Sequence, residues 1–319
     1  MQVKTDFPLS IRPADGRLDL ERVSGMILEA FDAWLNPDDR AYLEEMQADG
    51  AWMRQHPFLS RIRGERYPLE GLVCLSDEGK IIGNLGLFHN DSEADRPAIQ
   101  FANICVDPQY RGRGIGHKLV NAALRDCEAK GIRCVTLQVR EQTPDAVRLY
   151  RDCGFEETLS RDCWLCRGGT IGTPTGVLQT GIPSLSEKKA FREAFAAAYP
   201  PAFQKTKDMD VTDFHFGSPG ALLYLVTGGS FLFRTVPGAS GPIAWFGIRK
   251  GQGFADELLF LSAPNSCKEE ISDALQQIAS QYAVGKALQC EVPKGLYTEA
   301  FADAGFTLRQ QILSMKRNL

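Results

Sequence analysis

The run PQYRGRGIG, residues 108–116, sets Arg111 and Arg113 among three glycines, Gly112, Gly114 and Gly116, just ahead of the apolar-periodic segment HKLVNAALRDCEAKG. Missing side chains let a ligand reach the backbone. A helix starting here adds roughly half a positive charge through N–H groups that have no helical acceptor. Amides freed by the missing side chains, with the guanidinium groups of Arg111 and Arg113 nearby, suit a pyrophosphate. The bland alternative is a tight strand-to-helix connection with solvated arginines, because glycine often serves geometry alone. Two common phosphate patterns fail: G-x-G-x-x-G begun at Gly112 ends on His117, and Gly116 is followed by His117 and Lys118 where G-x-x-x-x-G-K-[ST] needs lysine first. The pattern that fits is R-x-x-G-x-G at Arg111, Gly114 and Gly116.

The surrounding pattern indicates what positions this loop. LSIR, residues 9–12, reads as a short strand, and residues 19–33 read as an amphipathic helix carrying Leu20, Val23, Met26, Ile27 and Phe31. Residues 34–68 look irregular. LVCLSD and KIIGNLGLFHN read as strands joined by a turn at Glu78-Gly79, and AIQFANICV (98–106) as an interior strand. After the loop come a helix to about Lys130, the strand IRCVTLQV, a second helix and a strand from near Phe155. Thr143 is placed to cap that second helix, with Pro144 at its first position, Asp145 in its first turn and Gly154 ending it. The expected class is α/β, a mixed sheet crossed by helices.

The run ICVDPQYRGRGIGHKLV, followed by a helix, a strand and AVRLYRDCGF, resembles the GNAT superfamily of acetyl-CoA-dependent N-acetyltransferases. The resemblance covers roughly residues 9–168 and is strongest over 101–155. It implies that amides from Arg111 to Gly116 hold the pyrophosphate of coenzyme A. It also implies that backbone at Ile104, Cys105 and Val106 pairs with the pantetheine arm, which needs a local splay between that strand and IRCVTLQV. Tyr150 stands at the family's general-acid position, and a backbone N–H near Val106 would meet the oxyanion. The chain departs from the family twice. Thr143 stands where many members carry asparagine, and no carboxylate lies early on the third strand, near Ala98. Gln100 and Asn103 cannot act as bases, so His89, Glu93, Asp95 and a water chain remain as routes for the amine's proton.

Beyond RGGTIGTPTG, a worn repeat is expected. FLSAPNSCKEEISDALQQIASQYAVG parallels NICVDPQYRGRGIGHKLVNAALRDCEAKG, and LYTEAFADAGFTL parallels VRLYRDCGFEETL. CKEEIS replaces RGRGIG, Phe301 replaces Tyr150, and Tyr297 lies one turn earlier. The expected layout is two tandem GNAT-like domains, a catalytic one at 1–168 and a degenerate, structural or substrate-shaping one at 169–319. This layout resembles that of mycothiol synthase and other tandem members.

With 319 residues, two domains are the natural division. A net charge of -4 argues against a general nucleic-acid binder. No apolar run of signal or membrane-spanning length is evident, and nine scattered cysteines suit reduced thiols, so a cytoplasmic protein is expected. Cys163 and Cys166 form one CxxC pair without the partners a zinc site needs, so no metal is expected. The expected partners are acetyl-CoA and a small-molecule or peptide amine, without nucleic acid or membrane, and a homo-oligomer is compatible. Trp34, Tyr42, Trp52 and Tyr67, with an acidic cluster (Asp38, Asp39, Glu44, Glu45) and an arginine cluster (Arg54, Arg61, Arg63, Arg66), mark the expected acceptor side. The rival reading is a sensor or scaffold that binds acetyl-CoA without turnover.

Overall fold

The computed structural model describes residues 9–63, 67, 69–89, 98–168, 178–207, 209, 211, 214–217, 231–251 and 253–319. Contacts divide the chain into two units. The first holds residues up to Val139, Thr143–Glu157 and Ser314–Leu319, and the second Arg140–Gln142 and Thr158–Leu313.

The first unit runs β1 (Ser10–Pro13), α1 (Leu20–Phe31), α2 (Pro37–Gln55), α3 (Pro57–Arg63), β2 (Gly71–Leu75), β3 (Ile81–His89), β4 (Ala98–Val106), a 3-10 turn (Pro108–Tyr110), α4 (Ile115–Ala129), β5 (Cys134–Arg140, to Val139 in this unit) and α5 (Pro144–Asp152). Strands β1-β2-β3-β4-β5 are neighbours in that order, antiparallel up to β4, with β4 and β5 parallel. The mixed sheet expected from the sequence is present, and so are its strands, within a residue or two.

The segment expected to be irregular, 34–68, instead carries the 19-residue helix α2 and the shorter α3. Asn36 caps α2 by accepting from the Asp39 amide (2.8 Å), and Pro37 opens it. Its buried residues, Leu43, Met46, Gly50 and Met53, recur at helical spacing, but three apolar side chains and a glycine in 19 residues make a faint pattern. They pack with Leu20, Val23, Met26 and Ile27 of α1 and with Val73, Ile81 and Cys105 of the sheet. The two helices touch at Gly50, where an added Cβ would stand 2.4 Å from the Glu21 backbone nitrogen. Helix α4 buries Ile115, Leu119, Val120, Ala123, Leu124 and Cys127, and Gly83 of β3 leaves room for Leu119.

The second unit contains β6 (Glu156–Cys166, from Thr158), a capped 3-10 turn (Leu185–Glu187), α6 (Lys188–Ala198), α7 (Pro201–Thr206), β7 (Phe231–Gly238), β8 (Gly241–Arg249), β9 (Ala255–Ser262), α8 (Lys268–Tyr282), β10 (Ala287–Pro293), α9 (Thr298–Asp303) and β11 (Thr307–Asn318, to Leu313). Its strand order is β11-β6-β10-β9-β8-β7, with β9 and β10 parallel. The core is aromatic: Phe191, Phe195, Phe203, Trp245, Phe246, Phe260 and Phe301 are all buried. Trp245 Nε1 donates to Glu187 (2.8 Å), which satisfies the indole.

The expected division at 168–169 follows the sequence, whereas the contact-defined units do not. Most of β6 counts with the second unit because it pairs with β10 from Arg161 to Cys166, and the last residues of β11 count with the first. The expected linker lies largely outside the described residues, at 169–177. Among the described residues no helix is long and apolar enough to cross a membrane.

Candidate functional site

The loop 107–114 is held by a carboxylate that the sequence reading left without a role. Asp107 is buried. Its Oδ1 accepts from the Gln109 amide (3.1 Å) and its Oδ2 accepts from Arg22 Nη2 of α1 (2.7 Å). The Asp107 amide donates to the Ile82 carbonyl (2.9 Å), which ties the end of β4 to β3. The Asp-Pro step was the available signal, since aspartate before a helical proline is a cap pattern.

The three glycines serve two different needs. Gly112 (φ 75°) and Gly114 (φ 73°) are left-handed, a conformation costing other residues about 1–2 kcal/mol, and open space surrounds their Cβ positions. Gly116 is right-handed, and a Cβ there would meet Leu149 Cδ1 of α5 at 2.6 Å. Gly114 is the N-cap of α4, whose first intrahelical bond runs from the Lys118 amide to the Gly114 carbonyl (3.1 Å). The helix therefore supplies no acceptor for the amides of Gly114, Ile115, Gly116 and His117. Arg111 Nε donates to the Val106 carbonyl (3.0 Å), so this arginine also fixes the strand end. Arg113 donates to the Gln109 carbonyl (3.2 Å) and lies over the Tyr110 ring, 5.2 Å from its centroid.

Ahead of this helix start, β4 parts from β5. Their register runs only from Ala98↔Cys134 to Phe101↔Leu137, although β4 continues through Ile104, Cys105 and Val106 and β5 to Arg140. The expected splay is therefore present. The other edge of β4 carries a bulge, where its pairing with β3 shifts between Asn84 and Gly86. Asn103 takes φ 54° there, and Asn84 Nδ2 donates to its carbonyl (3.0 Å).

Tyr150 of α5 is buried, with its ring 6.1 Å from that of Phe155. Burial first, then Cys105 and Cys153, pushes the phenol above its ordinary pKa, so the group stays protonated across the neutral range. Cys105 itself is pushed up to about 12 by burial, as an inert core thiol. The capping expectation for Thr143 needs correction. It occupies the N-cap position of α5, and its carbonyl accepts from Ala146 and Val147, but its hydroxyl makes no capping bond. Pro144, Asp145 and Gly154 (φ 80°) sit as expected.

The acceptor-side residues are less concentrated. Tyr42 and Tyr67 meet edge to face at 5.5 Å, and Trp52 stacks on His56 at 4.9 Å. Asp39 belongs to the α2 cap, and Arg54 pairs with Glu21 (2.8 Å). His89 is exposed at the end of β3, 3.6 Å from Glu70. Glu93 and Asp95 lie outside the described residues. Among the described residues no cluster of His, Cys, Asp and Glu is arranged to hold a metal ion.

Residues 28–155 match the family model described as the Acetyltransferase (GNAT) family. An N-acetyltransferase of Methanocaldococcus jannaschii is 39% identical over 98 residues, 30% of this chain and 43% of that protein. The mycothiol acetyltransferase of Thermobispora bispora is 32% identical over 127 residues, 39% of this chain and 42% of that protein. The matches thus span less than half the length of these relatives. The solved tandem GNAT protein from the clavulanic acid biosynthesis pathway shares the fold over 97% of this chain and 98% of its own, with a TM-score of 0.50 at 13% identity. Over residues 28–155 the chain is similar to the GNAT family.

The second unit repeats the frame of the first and changes the groups on it. Four parallel pairs, Ala255↔Ala287 to Leu258↔Cys290, end in the same splay, and Ala263 N–H to Ile243 O (2.8 Å) repeats Asp107 N–H to Ile82 O. Phe306 N–H to Phe301 O (3.0 Å) repeats Phe155 N–H to Tyr150 O (3.0 Å). Ser262 is thereby equivalent to Val106, and Phe301 to Tyr150. At the start of α8, Glu270 closes a capping box by accepting from the Cys267 amide (2.9 Å). Lys268 bridges to Glu299 and Asp303 (3.0 Å each). In the splay, the Tyr297 hydroxyl accepts from the Ser262 amide (3.1 Å), and Tyr297 is held left-handed at φ 57°.

Proposed function

We propose that the first unit is an N-acetyltransferase, moving acetyl from acetyl-CoA to a primary amine of a small molecule or peptide by direct attack in a ternary complex. The observation that carries this reading is the parting of β4 from β5 after Phe101, directly ahead of a glycine-opened helix start. Amides from Arg111 to Gly116 would take the pyrophosphate, as a helix N-terminus favours. The freed backbone of Ile104, Cys105 and Val106 would pair with the pantetheine arm, and the side of α5 that begins at Thr143 would flank it.

The chemistry then follows from the groups at hand. The amine nitrogen forms a bond to the thioester carbonyl carbon, and the Val106 N–H meets the developing oxyanion. The C–S bond breaks with its electron pair on sulfur, and Tyr150 gives that sulfur its proton. The phenol is recharged from solvent, which also takes the proton lost by the amine. Ala98 offers no carboxylate where a base is expected, so this last transfer runs through water.

The second unit is proposed to bind no cofactor. Glu270 places a carboxylate at the helix start where a phosphate would sit, and Tyr297 takes the Ser262 amide, the counterpart of Val106. All nine thiols are free, eight of them buried, which supports a reducing compartment such as the cytoplasm.

The test is thiol release from acetyl-CoA across a panel of amines, with Gly114→Trp as control. Turnover with at least one amine, abolished in the control, supports the enzyme. Tight acetyl-CoA binding without turnover on any amine favours the sensor reading, whose specific support is the missing carboxylate at Ala98.

A further inference from the structure

We propose that Asn84 is a positioning residue for the acetyl end of the cofactor, acting by clamping the bulge in β4. The assignment rests on the acetyl-CoA reading of this site. Asn84 is 1% exposed, and its two amide atoms fare differently. Nδ2 donates to the carbonyl of Asn103 (3.0 Å), the residue at φ 54°, while Oδ1 is buried and has no hydrogen-bond partner among the described residues. An unmet buried acceptor costs about 1–3 kcal/mol. An apolar side chain of similar size would avoid that cost, so the carboxamide is retained at a net penalty to this strand. What it supplies is the bond to Asn103.

That bond acts where the chain turns. Asn103 is the extra residue of the bulge, because Asn84 pairs with Cys105 and Gly86 with Ala102, leaving Asn103 and Ile104 opposite a single position. A left-handed asparagine is tolerated but costs free energy unless its surroundings hold it. By holding the Asn103 carbonyl, Asn84 fixes the direction in which the next amides, Ile104 to Val106, leave the bulge. Those are the amides proposed to meet the pantetheine arm and the oxyanion.

The second unit serves as an internal control. Between Leu258 and Ser262 its β9 has one residue fewer than β4 has between Phe101 and Val106, and β8 pairs with β9 without a register shift. The position equivalent to Asn84 is Trp245, a packed core residue bonded to Glu187. The bulge and its clamp are absent together, in the unit whose Ser262 amide is already taken by Tyr297.

Calorimetric titration of the full chain tests this with two ligands. Acetyl-CoA reports the strand end, and adenosine 3′-phosphate 5′-diphosphate reports the helix start alone. In Asn84→Leu, acetyl-CoA is expected to bind about tenfold more weakly, equivalent to about 1.4 kcal/mol, while the nucleotide changes by less than about twofold. Adding Asn103→Gly, which removes the left-handed cost, is expected to restore most of the lost acetyl-CoA affinity; a mere packing defect at position 84 would not respond. Unchanged acetyl-CoA affinity in Asn84→Leu, an equal loss for both ligands, or no restoration by Asn103→Gly overturns the assignment. A wild-type chain that binds neither ligand overturns the acetyl-CoA reading itself, before any variant is compared.

Discussion

Tyr150 and Phe301 occupy equivalent places in the two repeats and differ by one hydroxyl, which is the group proposed to protonate the leaving sulfur. Removing it with Tyr150→Phe should lower kcat by about 10²–10⁴-fold, with little change in acetyl-CoA affinity. Steady-state kinetics alongside calorimetry separates the two effects. The pH dependence has a definite sign. The acid form of the phenol is the active one, and burial raises its pKa above the ordinary value of 10.0. Tyr150 should therefore cause no descending limb in the kcat profile as pH rises to that value, and a limb below it that disappears in Tyr150→Phe would contradict the role. Gly116 makes a steric prediction at the same scale. A methyl group there meets only the Leu149 Cδ1 terminus, at 2.6 Å, which a half-buried leucine can turn aside, so Gly116→Ala should change coenzyme A affinity by less than about threefold in calorimetry, about 0.7 kcal/mol.

Helix α2 shows how an element can be clear in structure and faint in sequence. Its polar faces dilute the apolar spacing of Leu43, Met46 and Met53, and its fourth contact is Gly50, which contributes closeness rather than apolar area. The capping signal, Asn36 followed by Pro37 and two aspartates, was the readable part. Because the Gly50 Cβ position is 2.4 Å from the Glu21 nitrogen, Gly50→Ala should force α1 and α2 apart and destabilise the protein by about 1–3 kcal/mol, measurable as a lowered Tm. The strands and the loop were legible because their signals are local: a run such as AIQFANICV specifies its own strand, and glycines before an apolar period specify a helix start. The clamp at Asn84, the pairing of Asp107 with Arg22 and the contact of Gly116 with Leu149 depend on residues 19, 85 and 33 positions away. Each exists only once the sheet has formed, and no local pattern announces it.

At the scale of the molecule, the first unit takes in residues from the far end of the sequence. The first unit includes Ser314–Leu319, where Arg317 donates to the Cys153 carbonyl beside the end of α5 and the Leu319 amide donates to Arg133 (3.0 Å). Removing Ser314–Leu319 should lower the Tm and weaken acetyl-CoA binding, although these residues lie far along the chain from the glycine loop; calorimetry of the truncated chain checks both. One site per chain is the further expectation, since Glu270 and Tyr297 fill the second unit's equivalents of the anion and oxyanion positions. The measurement that tests the central claim most directly is a crystal structure of the full chain with acetyl-CoA. The account predicts a single cofactor, its pyrophosphate within hydrogen-bonding distance of amides between Arg111 and Gly116 and its sulfur beside Tyr150. A nucleotide seated at α8, bound elsewhere, or missing from the α4 start at saturating concentration would contradict it.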